Sequence, residues 1–173
     1  DKISALIENK GQTLEIDCDN ILISMGRRPY TYGLNLENIG VGIDKNGFIQ
    51  TNQNFQTSVN NIYAIGDCKQ GPMLAHKASE EGVAVAELLS GQAGQVNYDT
   101  IPSVIYTFPE VASVGKTEEE LKDLSVKYKV GKFPFTANAK ATVMQETEGF
   151  VKILSDSQTD EVLGVHIIGA DAG

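Results

Sequence analysis

An α/β arrangement running into an α+β layer is what this sequence predicts, and three observations carry the prediction. Two stretches of alternating residues, 2–8 and 12–18, flank turn chemistry at Asn9-Lys10-Gly11. Two continuous apolar runs, Ile21-Leu22-Ile23 and 62–65, have the length of buried strands, and the second leads into residues with helical spacing. After residue 101 the buried runs give way to short alternating segments and one capped helix.

The first element is a β-hairpin. Ile3, Ala5 and Ile7 share one face, and Leu14, Ile16 and Cys18 repeat the pattern. Ile21-Leu22-Ile23 reads as a buried strand that stops at Gly26-Arg27-Arg28-Pro29. Residues 30–57 are loop-rich, with Gly33, Gly40, Gly42 and Gly47 among many Asn. Residues 61–67 form a second apolar strand with Asp67 at its carboxyl end. A Gly71-Pro72 turn precedes a helix over 74–89. Its expected buried stripe is Leu74, Ala78, Gly82, Val85 and Leu89, with Lys77, Glu80, Glu81 and Glu87 mostly off it. Gly91 ends the helix. Residues 90–101 are a candidate boundary. Beyond it, Thr117 and Glu120 form a capping box, with Leu121 and Leu124 facing inward. Residues 128–135 alternate as a strand, and 150–154 with 162–168 flank 156–160 as a second hairpin.

Composition narrows the function. The 173 residues carry a net charge of −9, 41% hydrophobic and 21% charged residues, which are globular proportions. The acidity is spread through both halves, so phosphate-tracking nucleic-acid binding and docking on an anionic membrane are both disfavoured. No apolar run approaches the roughly 20 residues that span a bilayer, and Asp1-Lys2-Ile3-Ser4 carries no signal-peptide pattern. Cys18 and Cys68 do not make a disulfide framework. With only His76 and His166 beside them, no metal site is expected.

The passage from residue 62 to 89 carries the most chemistry. A strand delivers Asp67 at its carboxyl end, where ligands of open α/β sheets bind. A carboxylate there accepts hydrogen bonds from sugar or ribitol hydroxyls. The helix start near Leu74-Ala75-His76 offers unpaired N–H groups and a positive dipole end for an electron-rich oxygen. Gly66 allows close approach to the backbone. The bland alternative is that Asp67 caps the following turn.

Residues 57–82, Thr-Ser-Val-Asn-Asn-Ile-Tyr-Ala-Ile-Gly-Asp-Cys-Lys-Gln-Gly-Pro-Met-Leu-Ala-His-Lys-Ala-Ser-Glu-Glu-Gly, resemble the second FAD-binding segment of the flavoprotein pyridine nucleotide-disulfide oxidoreductases. Ile23-Ser24-Met25-Gly26-Arg27-Arg28-Pro29 resembles the end of that family's NAD domain. Pro102-Ser103-Val104-Ile105-Tyr106-Thr107, Pro109-Glu110-Val111-Ala112 and Gly131-Lys132-Phe133-Pro134-Phe135 resemble the opening of its interface domain. The Gly66-Asp67 strand is common to the family. Met73-Leu74-Ala75-His76-Lys77-Ala78 is more particular and resembles the dihydrolipoamide dehydrogenase branch.

The resemblance implies a remnant of NAD- and FAD-binding Rossmann-like domains followed by an α+β dimerisation (interface) domain. Residues 1–29 would be the end of the NAD domain and 30–100 the last part of the FAD domain. Residues 101–173 would be the interface domain, forming a homodimer. Asp67 would accept from a ribitol hydroxyl of FAD, with Met73, Leu74, Ala75 and His76 lining the flavin. Gly26 would lie beside the nicotinamide of NAD. The family reaction oxidises protein-bound dihydrolipoamide, carried on the lipoyl domains of 2-oxo acid dehydrogenase complexes, and passes electrons through a redox disulfide and FAD to NAD. It runs in bacterial cytoplasm or the mitochondrial matrix.

Three of the family's parts are missing. Neither cysteine matches the redox pair, no GxGxxG fingerprint occurs, and the sequence stops at Gly169-Ala170-Asp171-Ala172-Gly173, before the catalytic His segment. The expectation is therefore an internal fragment, inactive by itself and with no catalytic residue of its own, that retains neither cofactor. The alternative is a cofactor-free dimerisation or interaction module. Phe108 stands where many members have His, and Asn60-Asn61 replaces the usual Pro-Gly. His76 reads as a lining residue rather than a base, His166 as structural, and Arg27-Arg28 as partners of nearby acids.

Overall fold

The computed structural model describes residues 3–173. Asp1 and Lys2, which open the expected hairpin and the expected NAD-domain segment, lie outside the described residues.

Strands β1 (Ile3–Asn9) and β2 (Gln12–Cys18) pair antiparallel, with Asn9 opposite Gln12. Lys10 and Gly11 make the two-residue turn, both in the left-handed region at φ 51° and 78°. That mirror-image turn matches the strands' twist. Ile3 faces Cys18, Ala5 faces Ile16 and Ile7 faces Leu14, so the alternation reads onto one apolar face as expected.

The apolar run after it does not behave as the sequence suggests. Ile21-Leu22-Ile23 forms no strand, and Leu22 is 90% exposed. A continuous apolar strand is stable only between sheet neighbours and two covering layers. The described residues place no strand beside it.

Residues 30–70 are irregular but ordered by local hydrogen bonds. The Asp44 carboxylate accepts from the N–H groups of Asn46 and Phe48, and the Asn52 side-chain carbonyl from those of Asn54 and Gln56. Leu36, Val41, Ile49 and Ala64 form a small core, with Ile62 and Cys68 against it. Residues 62–65 are extended, yet their backbone pairs with loops rather than with a strand. The Ala64 N–H donates to the Phe55 carbonyl, and the Ile62 carbonyl accepts from Thr57. The expected second strand is thus an extended segment, followed by a single 3-10 turn at Gly66–Cys68.

Helix α1 (Ala75–Leu89) closes with a Schellman motif. Ser90 is its C-cap and Gly91 follows at φ 82°. The Gly91 and Gln92 N–H groups reach the Leu88 and Glu87 carbonyls. The buried face is not the expected stripe. Lys77, Glu81 and Ala84 are buried, whereas Leu89 is 64% exposed. The true face is turned by one residue, about 100° around the axis, because it follows ion-pairing partners rather than hydropathy.

Residues beyond 101 build one antiparallel sheet in the order β3-β4-β7-β6-β5. The strands are β3 (Ser103–Ile105), β4 (Glu110–Gly115), β5 (Tyr128–Pro134), β6 (Phe150–Asp156) and β7 (Val162–Gly169). Both Thr117–Glu120 hydrogen bonds of the capping box start α2 (Glu118–Asp123). Leu121 is buried beneath it, but Leu124 is 60% exposed because it falls at the C-cap, where the chain turns away. A third helix, α3 (Ala139–Met144), was not apparent in the sequence. It is capped by Asn138, whose side-chain carbonyl accepts the Ala141 N–H. The His166 ring donates from Nε2 to the Lys116 carbonyl at 3.0 Å, tying β7 to the turn before α2 in a structural role.

Candidate functional site

The 3-10 turn at Gly66–Cys68 abuts the start of α1, and a buried polar cluster joins them. Both polar backbone groups of Gly66 are held by side chains from one helix. Its N–H donates to Glu81 Oε2 at 2.7 Å, and its carbonyl accepts from Lys77 Nζ at 3.0 Å. Lys77 and Glu81 are themselves an i,i+4 ion pair at 3.4 Å, and neither side chain has any exposed surface. The other Glu81 oxygen takes Lys69 Nζ at 3.0 Å and the Tyr98 hydroxyl at 2.7 Å. Lys69 also sits over the Phe55 and Tyr98 rings, 5.4 and 5.3 Å from their centroids.

Electrostatics follow from these contacts. Burial works against the Glu81 carboxylate, but the Gly66 N–H, the Tyr98 hydroxyl and Lys69 outweigh it and hold the pKa below the ordinary glutamate value. Burial likewise opposes the Lys69 ammonium, and its bonds to Glu81 and Tyr98 reverse the balance and raise its pKa. The Tyr98 phenol is raised by burial and by the hydrogen bond to Glu81.

Asp67 follows directly. Its Oδ2 is paired with Arg27 at 2.5 Å on the protein surface. Its Oδ1 has no hydrogen-bond partner among the described residues. Asp67 makes no cap for the next turn, so the bland reading of this carboxylate does not hold. Leu74, the N-cap of α1, makes no side-chain cap either, which leaves the first-turn N–H groups of Ala75, His76 and Lys77 uncapped. Met73 and Leu74 are half-buried just before the helix, and Ala75 and His76 are exposed on its first turn. The His76 ring donates from Nε2 to the Pro102 carbonyl at 2.8 Å, which anchors the helix start to the chain leading into the sheet. Of the two adjacent arginines expected to partner acids, Arg27 does so, and Arg28 makes no ion pair among the described residues.

Gly66 is required where it stands. Its φ is +72°, and an added Cβ would meet the Ala78 methyl at 3.2 Å. Asp67 thus follows a glycine packed against α1 at Lys77, Ala78 and Glu81, while Met73 and Leu74 lead into that helix and Ala75 and His76 open it. A hydroxylated ligand carrying an electron-rich carbonyl fits this donor and acceptor set. Gly26 lies apart. It has φ +87° and nothing within 4 Å of an added Cβ, so these residues alone build no cradle around it. Cys18 and Cys68 are free thiols, bonded to the Ile3 and Ile65 carbonyls respectively. No group of three or more His, Cys, Asp or Glu that could hold a metal occurs among the described residues. No helix there is long and apolar enough to cross a membrane.

Sequence reasoning missed Lys69, Lys77, Glu81 and Tyr98. The signal available was the i,i+4 spacing of Lys77 and Glu81. An exposed pair has the same spacing, so hydropathy placed them in solvent.

Comparison with known proteins covers nearly the whole chain. Residues 1–82 match the family model of the pyridine nucleotide-disulphide oxidoreductases, and residues 101–173 match the dimerisation domain of the same family. The chain is 58% identical over 164 residues to a dihydrolipoyl dehydrogenase of Trypanosoma brucei brucei, covering 94% of this chain and 34% of that protein. It is 52% identical over 174 residues to the mitochondrial dihydrolipoyl dehydrogenase of Bos taurus, covering 99% and 34%. Among solved structures, the HOCl-induced flavoprotein disulfide reductase RclA of Escherichia coli superposes with a TM-score of 0.83 at 27% identity, covering 96% of this chain and 38% of that one. LpdA of Mycobacterium tuberculosis gives the same score and identity, covering 91% and 34%. The chain spans about a third of the length of the curated relatives it matches. With both parts of one family matched along it, from the Gly66-Asp67 turn and its helix to the five-stranded sheet, the chain belongs to the pyridine nucleotide-disulphide oxidoreductases.

Proposed function

We propose that this chain carries the flavin-facing turn and the dimerisation domain of a dihydrolipoyl dehydrogenase. The observation that carries the proposal is the pairing of a free Asp67 oxygen with the uncapped start of α1, at the residues by which the chain resembles that branch. Asp67 Oδ1 would accept from a ribitol hydroxyl of FAD. The backbone groups of Met73, Leu74, Ala75 and His76 would line the flavin ring. When bound, FAD supplies the two-electron relay between a dithiol and NAD. The protein's part here is to hold and orient: Asp67 by hydrogen bonding, and the first turn of α1 by its dipole. Gly26 is assigned to the nicotinamide side. The described residues do not enclose that site, so no step is drawn through it.

The division that fits is the end of the NAD domain over 1–29, the last part of the FAD domain over 30–100, and the dimerisation domain over 101–173. A second copy is the partner of the last part, and lipoyl domains of 2-oxo acid dehydrogenase complexes are the substrate carriers. Relatives in Arabidopsis thaliana and Caenorhabditis elegans are named mitochondrial. The compartment proposed is accordingly the mitochondrial matrix or, in a bacterium, the cytoplasm.

The test is NAD⁺ reduction by dihydrolipoamide. The full-length protein carrying this sequence is expected to be yellow and active, and the 173-residue chain alone inactive and flavin-free. A colourless, inactive full-length protein that still dimerises would overturn the proposal in favour of a cofactor-free interaction module. Turnover by the chain alone would overturn its predicted dependence on the missing disulfide.

A further inference from the structure

The buried charge on α1 is more than the core requires. Lys77 and Glu81 have no exposed surface, and every buried side-chain nitrogen and oxygen among the described residues is partnered. A buried ion pair is a poor stabiliser compared with apolar side chains of the same volume. Its better-attested use is to fix one arrangement among several. What this pair fixes is a single residue. Glu81 Oε2 holds the Gly66 N–H and Lys77 Nζ holds the Gly66 carbonyl. The peptide planes on both sides of Gly66 are thereby set against the axis of α1, and Asp67 is the next residue along.

We propose that Lys77 and Glu81 are positioning residues that clamp the Gly66 peptide, so that Asp67 and the uncapped start of α1 meet the same flavin cofactor. This rests on the flavin reading above. The helix that presents its first-turn N–H groups also holds the backbone that presents the carboxylate. The two recognition elements therefore move as one body. Lys69 and Tyr98 brace the far oxygen of Glu81, leaving Oε2 turned toward Gly66. The clamp touches no ligand itself, and its effect passes through Gly66 and Asp67.

The experiment uses full-length apoprotein titrated with FAD, following flavin fluorescence and the visible absorption bands well below the unfolding temperature. Lys77→Met removes the donor to the Gly66 carbonyl while keeping Glu81 paired with Lys69. Glu81→Gln keeps an acceptor for the Gly66 N–H but removes the charge, and it serves if the first variant does not fold. Leu121→Ala, in the sheet-capping helix α2, is the control for general destabilisation. The expected result is about a tenfold rise in the FAD Kd for Lys77→Met, the effect of losing roughly one positioning hydrogen bond, and a smaller rise for Glu81→Gln, which keeps the Gly66 acceptor but loses the charge that holds Lys77. A shift of the visible bands should accompany it, and Leu121→Ala should bind as the wild type does despite a lower Tm. Wild-type affinity and bands in a folded clamp variant overturn the inference, as does equal weakening by Leu121→Ala. Wild-type protein that binds no FAD overturns the flavin reading instead, so the two failures are distinct.

Discussion

Glu81 makes four polar contacts with two oxygens, and its ionised form is what all four favour. Its folded pKa lies below the unfolded value. Its contribution to stability is therefore fully present above the ordinary glutamate pKa of about 4.3 and is lost as pH falls through the lower folded value. Lys69 and Tyr98 are both raised. Their contribution is complete below their unfolded values near 10 and is lost as pH climbs through the raised ones. A plot of Tm against pH should thus fall at both ends, and Glu81→Gln should flatten the acid limb; an acid limb as steep as the wild type's would show that other carboxylates dominate it. Asp67→Ala should weaken flavin binding by the full-length protein while barely changing its urea midpoint, since the Arg27 pair it loses is a surface one. Gly66→Ala should lower stability by about 1–2 kcal/mol, the cost of a left-handed Cβ, as read from urea unfolding.

Among the elements, those whose partners lie close in sequence were readable and those built from distant partners were not. The hairpin β1–β2 and the capping box of α2 are local chemistry, so Lys10-Gly11 and Thr117/Glu120 announced them. Helix α1 was legible as a helix, but its buried face was not. Lys77 and Glu81 are inward because Gly66, Lys69 and Tyr98 wait there, and no periodicity encodes that. Ile21-Leu22-Ile23 failed for the opposite reason: its hydropathy reports a layer that the described residues do not supply. At the candidate site the Gly66-Asp67 turn and the helix start could be found from spacing, whereas the clamp beneath them needed tertiary structure. Thr117→Ala should cost about 1 kcal/mol, since both capping-box bonds are present. Equilibrium denaturation checks it, and a loss below a few tenths would mean that the sheet alone holds α2.

As a whole molecule the chain is under-covered. A compact monomer of 18.6 kDa exposes about 8,200 Å², and this chain exposes 12,789 Å². Leu22, Ile23, Met25, Tyr30 and Tyr32 contribute to that excess in one half, and Tyr106, Phe108 and Val143 in the other. Surface of this extent and character is what association covers. In sedimentation equilibrium the chain should run at twice its monomer mass or above at micromolar concentration. A monomer there would mean that the matched dimerisation domain needs more than residues 101–173 to pair.

The Gly66 clamp also has a genetic consequence. Removing Glu81 alone leaves the buried Lys77 ammonium without an acid, at a cost of about 3–5 kcal/mol, whereas removing Lys77 alone leaves Glu81 its bond to Lys69. Positions 77 and 81 should therefore show strong epistasis in a mutational scan. Apolar changes at 81 should be purged while Lys77 is present and tolerated better once it is gone, the survivors folding but losing the alignment of Asp67. Lineages crossing from the ion pair to apolar residues are therefore expected to lose Lys77 before Glu81, so this helix changes in a fixed order.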